Sequence, residues 1–344
     1  MLNRRQFLSA TPAALAALAY APSLVSGAAD PNDAPALVQP PKIGFSSRTA
    51  DLSSIKPGQV TAASPRVCKI LQFTDLHFFN KTAIEDEMTI ADFRKHLDRH
   101  QPDLVVVSGD LWHDNPEGRG QRGLDLATKT FSSWDVPWTM CWGNHDFLND
   151  YQQGHDQLER APHSVYRGGV SHGDHRIEVR PAGADPKDGP VLDLYFLNSS
   201  DEGLTTWQVR AFREMARHVG SARSKPVPAL AFFHIPILEY ETRINPATIK
   251  GVKMEGVGRG KENGQAFPAL TAPQTLRACF CGHNHTNDYA VKADSMDLVY
   301  GRSSGYAGYG GETLRKGAKL IEVDLSNGNY YQTSVFADGT KQIA

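Results

Sequence analysis

Hydrophobic and polar positions alternate from residue 66 onward in a way that is typical of strands separated by helices. Residues 104–107 are apolar at every position, which is typical of a strand covered on both faces. Residues 84–99 instead carry apolar side chains at approximately helical spacing, and the pattern ends before Gln101-Pro102. The succession of strand, helix and strand predicts right-handed crossover units in a mixed or parallel sheet.

The same reading predicts most of the elements of the fold. The predicted strands are residues 67–73, 103–108, 136–142, 177–179, 192–197, 229–233 and 276–281, and the predicted helices are residues 84–99, 123–134 and 207–218. Residues 288–300 and 319–335 supply further strands, with a hairpin turn at Asn327-Gly328. Residues 255–264, with four glycines among polar residues, are predicted to form a loop. We therefore predict an α/β (α+β) fold, a two-layer β-sandwich of mixed sheets flanked by helices.

The N-terminal segment has the features of an export signal. Asn3-Arg4-Arg5-Gln6-Phe7-Leu8 is a twin-arginine pattern, an Ala/Leu-rich stretch follows it, and Ser26-Gly27-Ala28 supplies small residues for cleavage. We predict a bacterial twin-arginine signal peptide over residues 1–28, the twin-arginine export machinery as a partner, and a periplasmic or secreted location. A basic amphipathic helix is the alternative. Residues 29–65 are predicted to be a linker, followed by one domain over residues 66–344.

Composition adds few constraints. The chain of 344 residues is 40% hydrophobic and 22% charged and has a formal net charge of -2. Because there is no basic excess, we predict no stable nucleic-acid or membrane partner. Cys68, Cys141, Cys279 and Cys281 all lie in predicted central strands. Free buried thiols are the prediction, and a disulfide between neighbouring strands is the alternative.

Side chains that bind metals follow five of the predicted strands. They are Asp75 and His77, then Asp110, then Asn144 and His145, then His234, and finally His283 and His285. Open α/β sheets bind ligands at the carboxyl ends of their strands, and carboxylate, amide and imidazole groups suit Zn, Mn or Fe. There are more such residues than one ion needs. They predict two ions that clamp the reacting oxygens of a displacement, with one histidine left to donate a proton.

Several of these residues also have a structural interpretation. Asp75 and Asp110 stand where turn or helix-cap aspartates are common, and His234 could be a core histidine. For His113, a structural role and a functional role are equally compatible with the sequence. Residues 172–175, His-Gly-Asp-His, look like a metal cluster, but their polar, glycine-bounded surroundings favour a solvated turn.

The motifs Asp-x-His, Gly-Asp-x-x-His, Gly-Asn-His-Asp, a strand-end His and Gly-His-x-His occur in this order over residues 67–290. Together they resemble the calcineurin-like metallophosphoesterase superfamily. The resemblance implies one metal ion held by Asp75, His77, Asp110 and His285, and a second held by Asp110, Asn144, His234 and His283, with Asp110 bridging. It further implies a metal-bridging hydroxide as the nucleophile and His145 as the general acid.

Later residues resemble a branch related to the purple acid phosphatases, through Phe233-His234-Ile235-Pro236 and residues 300–306. The coloured members of that family use a tyrosine ligand three residues after the bridging aspartate, where this chain has His113. We therefore expect no tyrosinate colour. The Gly-Asp-Leu-x-His form instead resembles the nuclease branch, which implies that His113 orients or tunes His145.

Arg302, Tyr306 and Tyr309 lie in a glycine-rich loop that the family places near the cleft. They are predicted to contact substrate, because arginine forms bidentate bonds to phosphate, and turn formation is the alternative. The leading hypothesis is an exported phosphomonoesterase acting on a phosphorylated small molecule or nucleotide. A phosphodiesterase acting on nucleotides or phospholipid headgroups is the alternative. A binding protein that keeps the fold without turnover is the hypothesis from another class.

Overall fold

The structure is a computed structural model that describes residues 56–343 apart from residues 186 and 246. The predicted signal peptide, residues 1–28, lies outside the described residues, as does the predicted linker up to residue 55. In the described part of the chain, no helix is long and apolar enough to cross a membrane.

The strands, numbered in chain order, form two mixed sheets. The first sheet contains β1 (Gly58–Thr61), β5 (His175–Arg180), β6 (Leu192–Phe196), β7 (Ala229–Phe232), β8 (Lys250–Lys253), β9 (Leu276–Cys281), β10 (Asn287–Ala293) and β11 (Met296–Tyr300). The second sheet contains β2 (Val67–Phe73), β3 (Leu104–Ser108), β4 (Trp138–Cys141), β12 (Ala318–Asp324), β13 (Tyr330–Val335) and β14 (Lys341–Ile343). Their spatial orders are β1-β5-β6-β7-β9-β11-β10-β8 and β14-β13-β12-β2-β3-β4.

Helices connect the strands. The α-helices are α1 (Ala83–His100), α2 (Arg119–Ser132), α3 (Tyr151–Arg160), α4 (Thr206–Ala222), α5 (Glu239–Thr242) and α6 (Ala266–Thr271), and a short 3₁₀ helix, Pro116–Gly118, precedes α2. Helix α1 begins with a capping box between Thr82 and Glu85, which satisfies backbone N–H groups that the helix itself leaves unpaired. The predicted helices are thus present, and each begins or ends within a few residues of its predicted bounds.

The hydrophobic core has three layers. In the middle layer, Ile70 and Val106 of the second sheet pack against aromatic side chains of the first sheet. There Phe196, Phe232 and Phe280, on the neighbouring strands β6, β7 and β9, stack with ring centroids 5.2 Å apart. The other two layers lie under helices, α1 and α2 on the second sheet and α4 on the first. This arrangement confirms the predicted fold class of two mixed sheets flanked by helices.

The end of the predicted linker belongs to the domain. Strand β1 pairs in parallel with β5, so that Gly58 lies opposite Ile177. Val60 is buried, whereas Gln59 and Thr61 are exposed. The linker prediction is therefore wrong for these residues. Its physical reason is length: an alternation over four residues is too short to be distinguished from a loop in a polar sequence.

The strand order brings the candidate ligands to one edge of the domain. Strands β2, β3 and β4 are parallel neighbours in the second sheet, and β7 and β9 are parallel neighbours in the first. Their carboxyl ends carry the segments that begin at Thr74, Gly109, Trp142, Phe233 and Gly282. The four cysteines are buried and free, as predicted.

Candidate metal centre

The structure brings all seven predicted ligands together, in two groups. The first group comprises Asp75, His77 and His285, whose ligand atoms lie within 4.8 Å of one another. His285 Nε2 is 3.3 Å from Asp75 Oδ1 and 3.1 Å from His77 Nε2. His285 Nδ1 lies 3.1 Å from the Tyr309 carbonyl oxygen, to which it donates its proton. Nε2, the ring nitrogen that remains for a metal ion, therefore faces the Asp75 carboxylate.

The second group comprises Asp110, His234 and His283, again within 4.8 Å. The Asn144 carboxamide completes it, because Asn144 Oδ1 is 3.1 Å from His234 Nε2 and 2.8 Å from His283 Nδ1. His234 Nδ1 donates to the Ser108 carbonyl oxygen at 2.8 Å, which leaves Nε2 facing Asp110 Oδ2 at 3.1 Å. His234 is thus fully buried but turned toward the other candidate ligands, which is not the arrangement of a core histidine.

The donor set of both groups fits a metal ion. A lone pair that faces a carboxylate is unfavourable unless a proton or a cation lies between them. A ring nitrogen faces a carboxylate in this way at His285 with Asp75 and at His234 with Asp110. Burial lowers the pKa of His234, but Asp110 outweighs it and raises that pKa to about 9, so a proton takes the position at His234 when no cation does. Imidazole, carboxylate and carboxamide donors are the ligands that Zn, Mn and Fe accept. Together with the carbonyls that fix the outer ring nitrogens, the groups indicate a dinuclear metal site.

Asp110 lies between the two groups. Its Oδ2 is 3.1 Å from His234 Nε2 and 3.5 Å from His77 Nε2, so one carboxylate oxygen faces a histidine of each group. Burial opposes ionisation, but the neighbouring His234 and His77 outweigh it and hold the pKa of Asp110 well below its usual range. Asp110 therefore has the position that a bridging ligand needs, and its role as the bridge stays a prediction.

The backbone at these residues is unusual. Asp75, His77, Asp110 and His283 have φ angles of 57°, 51°, 54° and 76°. This left-handed region is uncommon for residues with a side chain, and costs of order 1 kcal/mol each. Such conformations occur where the surrounding structure imposes them, most often at functional sites.

Two glycines are required by close packing of these loops. A Cβ atom at Gly109 would lie 2.4 Å from His234 Nδ1, and one at Gly143 would lie 2.2 Å from Asp110 Oδ1. Real Cβ atoms essentially never come that close to another heavy atom. The glycine of each Gly-Asp and Gly-Asn motif therefore allows the next loop to approach its ligand.

Asp146 organises two of the ligand loops and was not identified from the sequence. Its carboxylate is 1% exposed and accepts backbone N–H groups from Asp110, Leu111, Trp112 and Gly143. One side chain thereby joins the loop after β3 to the loop after β4. The aspartate that ends the motif Gly-Asn-His-Asp is the signal that could have found it.

His145 is paired with an aspartate. His145 Nδ1 is 2.7 Å from Asp114 Oδ1, and the His145 backbone N–H donates to Asp110 Oδ1 at 2.9 Å. Burial disfavours the charged imidazolium, but the hydrogen bond with Asp114 and the charge of Asp110 outweigh it and raise the pKa of His145. Asp114 was not predicted; an acidic residue directly after His113 is the signal that could have found it.

His113 contacts His145 differently from what the resemblance implied. Its ring stacks on His145 with centroids 4.5 Å apart and planes at 17°. No hydrogen bond between these two rings is present among the described residues, and Asp114 orients His145 instead. The hydrogen-bonding partner of His113 is His77, with Nδ1 to Nδ1 at 3.0 Å.

Two of the three predicted substrate residues point away from the site. The Arg302 guanidinium is buried, donates to Asp288 Oδ2 at 2.7 Å, and is held further by the Arg315 carbonyl oxygen. Tyr306 donates its hydroxyl proton to Asp92 Oδ2, at 2.7 Å, on helix α1. The prediction that they contact substrate is therefore wrong, because carboxylates that do not line the cavity already hold both polar ends.

Tyr309 does lie at the site. Its ring stacks on His285 with centroids 3.9 Å apart and planes at 10°, and its side chain is half exposed. Its hydroxyl donates to Glu255 Oε2 at 2.9 Å, which connects the rim to the loop predicted over residues 255–264. Tyr309 thus packs on a candidate ligand and lines the opening at the same time.

A cavity of about 220 Å³ opens onto both groups. Its lining is His77, Asn80, Asp110, His113, His145, His283, Asn284, His285, Gly308 and Tyr309. This lining contains no lysine or arginine, so within the described part of the chain an anion there relies on bound cations and on histidine. The cavity is large enough for a phosphoryl group and a small substituent.

Comparison with known proteins assigns the chain to a family. Residues 68–287, more than half of the 344-residue chain, match the family model described as calcineurin-like phosphoesterase. The chain belongs to this family. The resemblance drawn from the motifs is confirmed.

The relatives of this calcineurin-like phosphoesterase include proteins named as purple acid phosphatases. The chain is 27% identical over 303 residues to the probable inactive purple acid phosphatase 29 of Arabidopsis thaliana, covering 75% of this chain and 77% of that protein. It is 26% identical over 280 residues to the phosphatase DCR2 of Saccharomyces cerevisiae, covering 68% of this chain and 47% of that protein. A dimetal phosphatase from Danio rerio superposes with a TM-score of 0.53 at 12% identity, covering 80% of this chain and 98% of that structure, and shares the fold.

The segment of residues 172–175 is not part of the metal centre. It begins in a turn, as predicted, but the prediction that it is solvated is wrong. Asp174 and His175 are 1% and 0% exposed. His175 Nε2 lies 2.7 Å from Thr139 Oγ1, and the Asn198 backbone N–H donates to Asp174 Oδ1 at 2.7 Å. The prediction failed because the residues of this segment are polar, although β5 begins at His175 and is part of the sheet.

Proposed function

We propose that this chain is an exported, dinuclear metal-dependent hydrolase of phosphate esters, and specifically a phosphomonoesterase. The observation that carries the proposal is that two ligand groups meet at Asp110, beside a histidine that belongs to neither group. That histidine, His145, is held by Asp114 and lines the same cavity. Family membership supports the same reaction class.

The residues divide the work as follows. Two bound cations would supply an activated water and neutralise charge that develops on the phosphoryl oxygens. Asp110 holds the loop of the general acid His145 next to the ligand groups, because Asp110 Oδ1 accepts the His145 backbone N–H. As the bond between phosphorus and the leaving oxygen breaks, His145 Nε2 donates a proton to that oxygen. Asp114 holds the other ring proton at Nδ1 and stabilises the charged form of the ring before transfer.

The cavity fits a small phosphate ester. A volume of about 220 Å³ holds a phosphoryl group with a small substituent, and a monoester is the simplest such substrate. Tyr309 and Asn80 form its rim, and neither is charged. We therefore propose a small phosphorylated molecule or a nucleotide as the substrate, with its charge compensated at the phosphoryl group.

Metal analysis paired with two substrates tests the proposal. Purified protein is supplied with zinc, manganese or iron, its metal content is measured, and rates are compared on p-nitrophenyl phosphate and bis-p-nitrophenyl phosphate. We expect two ions per chain and faster hydrolysis of the monoester. His145→Ala should keep both ions and lower kcat by about 10²–10⁴-fold. His218→Ala, at an exposed position of α4, is the control and should match the unmodified chain.

Two other outcomes identify the competing functions. Faster hydrolysis of the diester would select the phosphodiesterase alternative, which the Gly-Asp-Leu-x-His form of residues 109–113 favours. Two bound ions without hydrolysis of either ester would select a binding protein without turnover. The name of the Arabidopsis relative, probable inactive purple acid phosphatase 29, favours that alternative.

Export is proposed from the N-terminal segment alone. Residues 1–28 fused to a reporter protein should direct it out of the cytoplasm in a bacterium with a working twin-arginine pathway. Replacing Arg4 and Arg5 together by lysine should abolish that export while leaving the apolar stretch intact. A reporter that stays in the cytoplasm behind the unmodified segment would contradict the proposal.

A further inference from the structure

His77 uses its two ring nitrogens on opposite sides. Nε2 faces the metal centre, 3.1 Å from His285 Nε2 and 3.5 Å from Asp110 Oδ2. Nδ1 points the other way and lies 3.0 Å from Nδ1 of His113. His113 therefore contacts the side of His77 that is remote from the other candidate ligands.

The protons on these rings depend on one another. A neutral imidazole has one N–H group and one lone pair, so a ring that offers Nε2 to a cation must carry its proton at Nδ1. The proton of His77 then lies between its Nδ1 and His113 Nδ1, and His113 must accept it. His113 in turn carries its own proton at Nε2.

A carboxylate stands at the end of this chain of rings. His113 Nε2 is 3.7 Å from Asp114 Oδ2, which is close enough for electrostatic attraction of its proton. The other oxygen of the same carboxylate, Asp114 Oδ1, is hydrogen-bonded to His145 Nδ1 at 2.7 Å. One aspartate therefore faces both the ring that contacts His77 and the ring that is proposed to protonate the leaving group.

We propose that His113 is a positioning residue that accepts the Nδ1–H of His77 and thereby fixes the tautomer that presents Nε2 to a metal ion. Asp114 favours the matching tautomer of His113. The inference rests on the dinuclear site of the proposed function. It assigns His113 to metal affinity at the group of Asp75, His77 and His285, and not to the orientation of His145.

A different use of the same rings is a third ion, because ligand atoms of His77, His113 and His145 lie within 4.8 Å of one another. That ion would need a lone pair from His77 Nδ1 while Nε2 serves the first group. His77 would then have to be an imidazolate, with no proton on either ring nitrogen. It would also need a nitrogen of His145, whose Nδ1 is already hydrogen-bonded to Asp114. The hydrogen-bonded chain needs neither, and the two arrangements predict different metal contents.

Two substitutions at one position test the proposal. His113→Leu removes the acceptor and keeps much of the volume, whereas His113→Asn places an acceptor oxygen near the position of Nδ1. Zinc affinity is measured by competition with a chelating indicator, and urea unfolding of the metal-free forms checks that each variant is folded. We expect His113→Leu to weaken one of the two ions by about 10–100-fold and His113→Asn to recover most of that affinity.

His145→Gln is the matched control, since it alters the other ring that faces Asp114. It should lose turnover and keep the affinity for both ions. In the unmodified, zinc-loaded protein labelled with ¹⁵N at histidine, we expect the His77 proton at Nδ1 and the His113 proton at Nε2.

The outcomes separate the inference from the function on which it rests. Unchanged affinity for both ions in His113→Leu would overturn the inference and leave the dinuclear site standing. A third ion that disappears in His113→Leu would overturn it in favour of a three-histidine site. An unmodified chain that binds no metal would overturn the proposed function and the inference together.

Discussion

Replacing Asp146 by asparagine tests whether one buried carboxylate holds the ligand loops after β3 and β4 in place. Asp146 Oδ2 accepts the N–H groups of Asp110 at 2.9 Å and Gly143 at 2.7 Å. Oδ1 accepts those of Leu111 at 2.7 Å and Trp112 at 3.2 Å. Asparagine has nearly the same shape but turns one oxygen into an NH₂ group, which cannot accept. Two buried backbone N–H groups would then face a donor.

Each buried donor without an acceptor costs about 1–3 kcal/mol, so we expect Asp146→Asn to lower the free energy of unfolding by about 2–6 kcal/mol. Burial and the charge of Asp110 raise the pKa of Asp146 to about 7. Asparagine also removes a charge that burial disfavours, and this stabilising gain grows as the pH rises above the unfolded pKa of 3.8. Urea unfolding of metal-free protein is therefore compared at pH 5, where the gain is much smaller than at pH 8. A loss below about 0.5 kcal/mol, the size of an ordinary surface substitution, would refute the reasoning.

Asp174→Asn is the matched control. Asp174 is as buried as Asp146, at 1% exposed, but accepts a single backbone N–H, from Asn198. Its Oδ2 has no hydrogen-bond partner among the described residues. Asparagine can keep the Asn198 contact and removes a charge that burial disfavours. The same chemical change should therefore stabilise the protein at one buried aspartate and destabilise it at the other.

Three further predictions follow from single residues. Burial raises the pKa of Asp174 from 3.8 to about 8, so the folded state keeps a proton that the unfolded chain releases; the unfolding free energy should fall from pH 5 to pH 8, and Asp174→Asn should reduce that fall. Gly109→Ala should weaken metal binding, because its Cβ meets His234, whereas Gly183→Ala, with a similar φ and open space, should cost only about 1 kcal/mol. Asp110→Asn should lose metal and turnover together, and full metal content with full turnover would contradict its bridging position.

The ligands were predictable from the sequence because strand ends are visible in it. An apolar run that stops at glycine marks the carboxyl end of a buried strand, and parallel neighbours place such ends at one edge. Asp110 after β3 and His234 after β7 were found in this way, although 124 positions separate them. The ligand residues thus come together because their strands are parallel neighbours, and the alternation of strands and helices in the sequence already indicates such a sheet.

Side-chain direction in loops was not predictable. Arg302 follows β11 as a ligand residue would, yet it turns inward to Asp288, which also pairs with the buried Lys319 from the other sheet. Asp288 lies on β10, the antiparallel neighbour of β11, and only the packing of the two sheets adds Lys319 to this pair. Asp114 is a similar case: its φ of 55° reverses the backbone direction, so that it and His113 face the same site from consecutive positions. A pattern of residue types does not contain such reversals.

The proposed function assigns metal binding and turnover to different residues of this site, and the word inactive in the name of the Arabidopsis relative refers to turnover alone. Folding buries the carboxylates of Asp75 and Asp110 close together, and a histidine nitrogen faces each of them. Desolvation opposes the charge on both carboxylates whether or not the protein is a catalyst, and bound cations offset that cost. We therefore expect metal at 100 times its Kd to raise the unfolding free energy by about 2.7 kcal/mol per site, as linkage requires.

The shift should be equal in the unmodified chain and in His145→Ala, because His145 belongs to neither ligand group. Thermal unfolding with and without a chelator measures it. If metal stabilises both forms equally and only the unmodified chain hydrolyses ester, this relative of inactive phosphatases is itself active. If metal stabilises neither form, protonated histidines alone compensate the charges of Asp75 and Asp110. The dinuclear assignment would then be wrong even though all the candidate ligands are present.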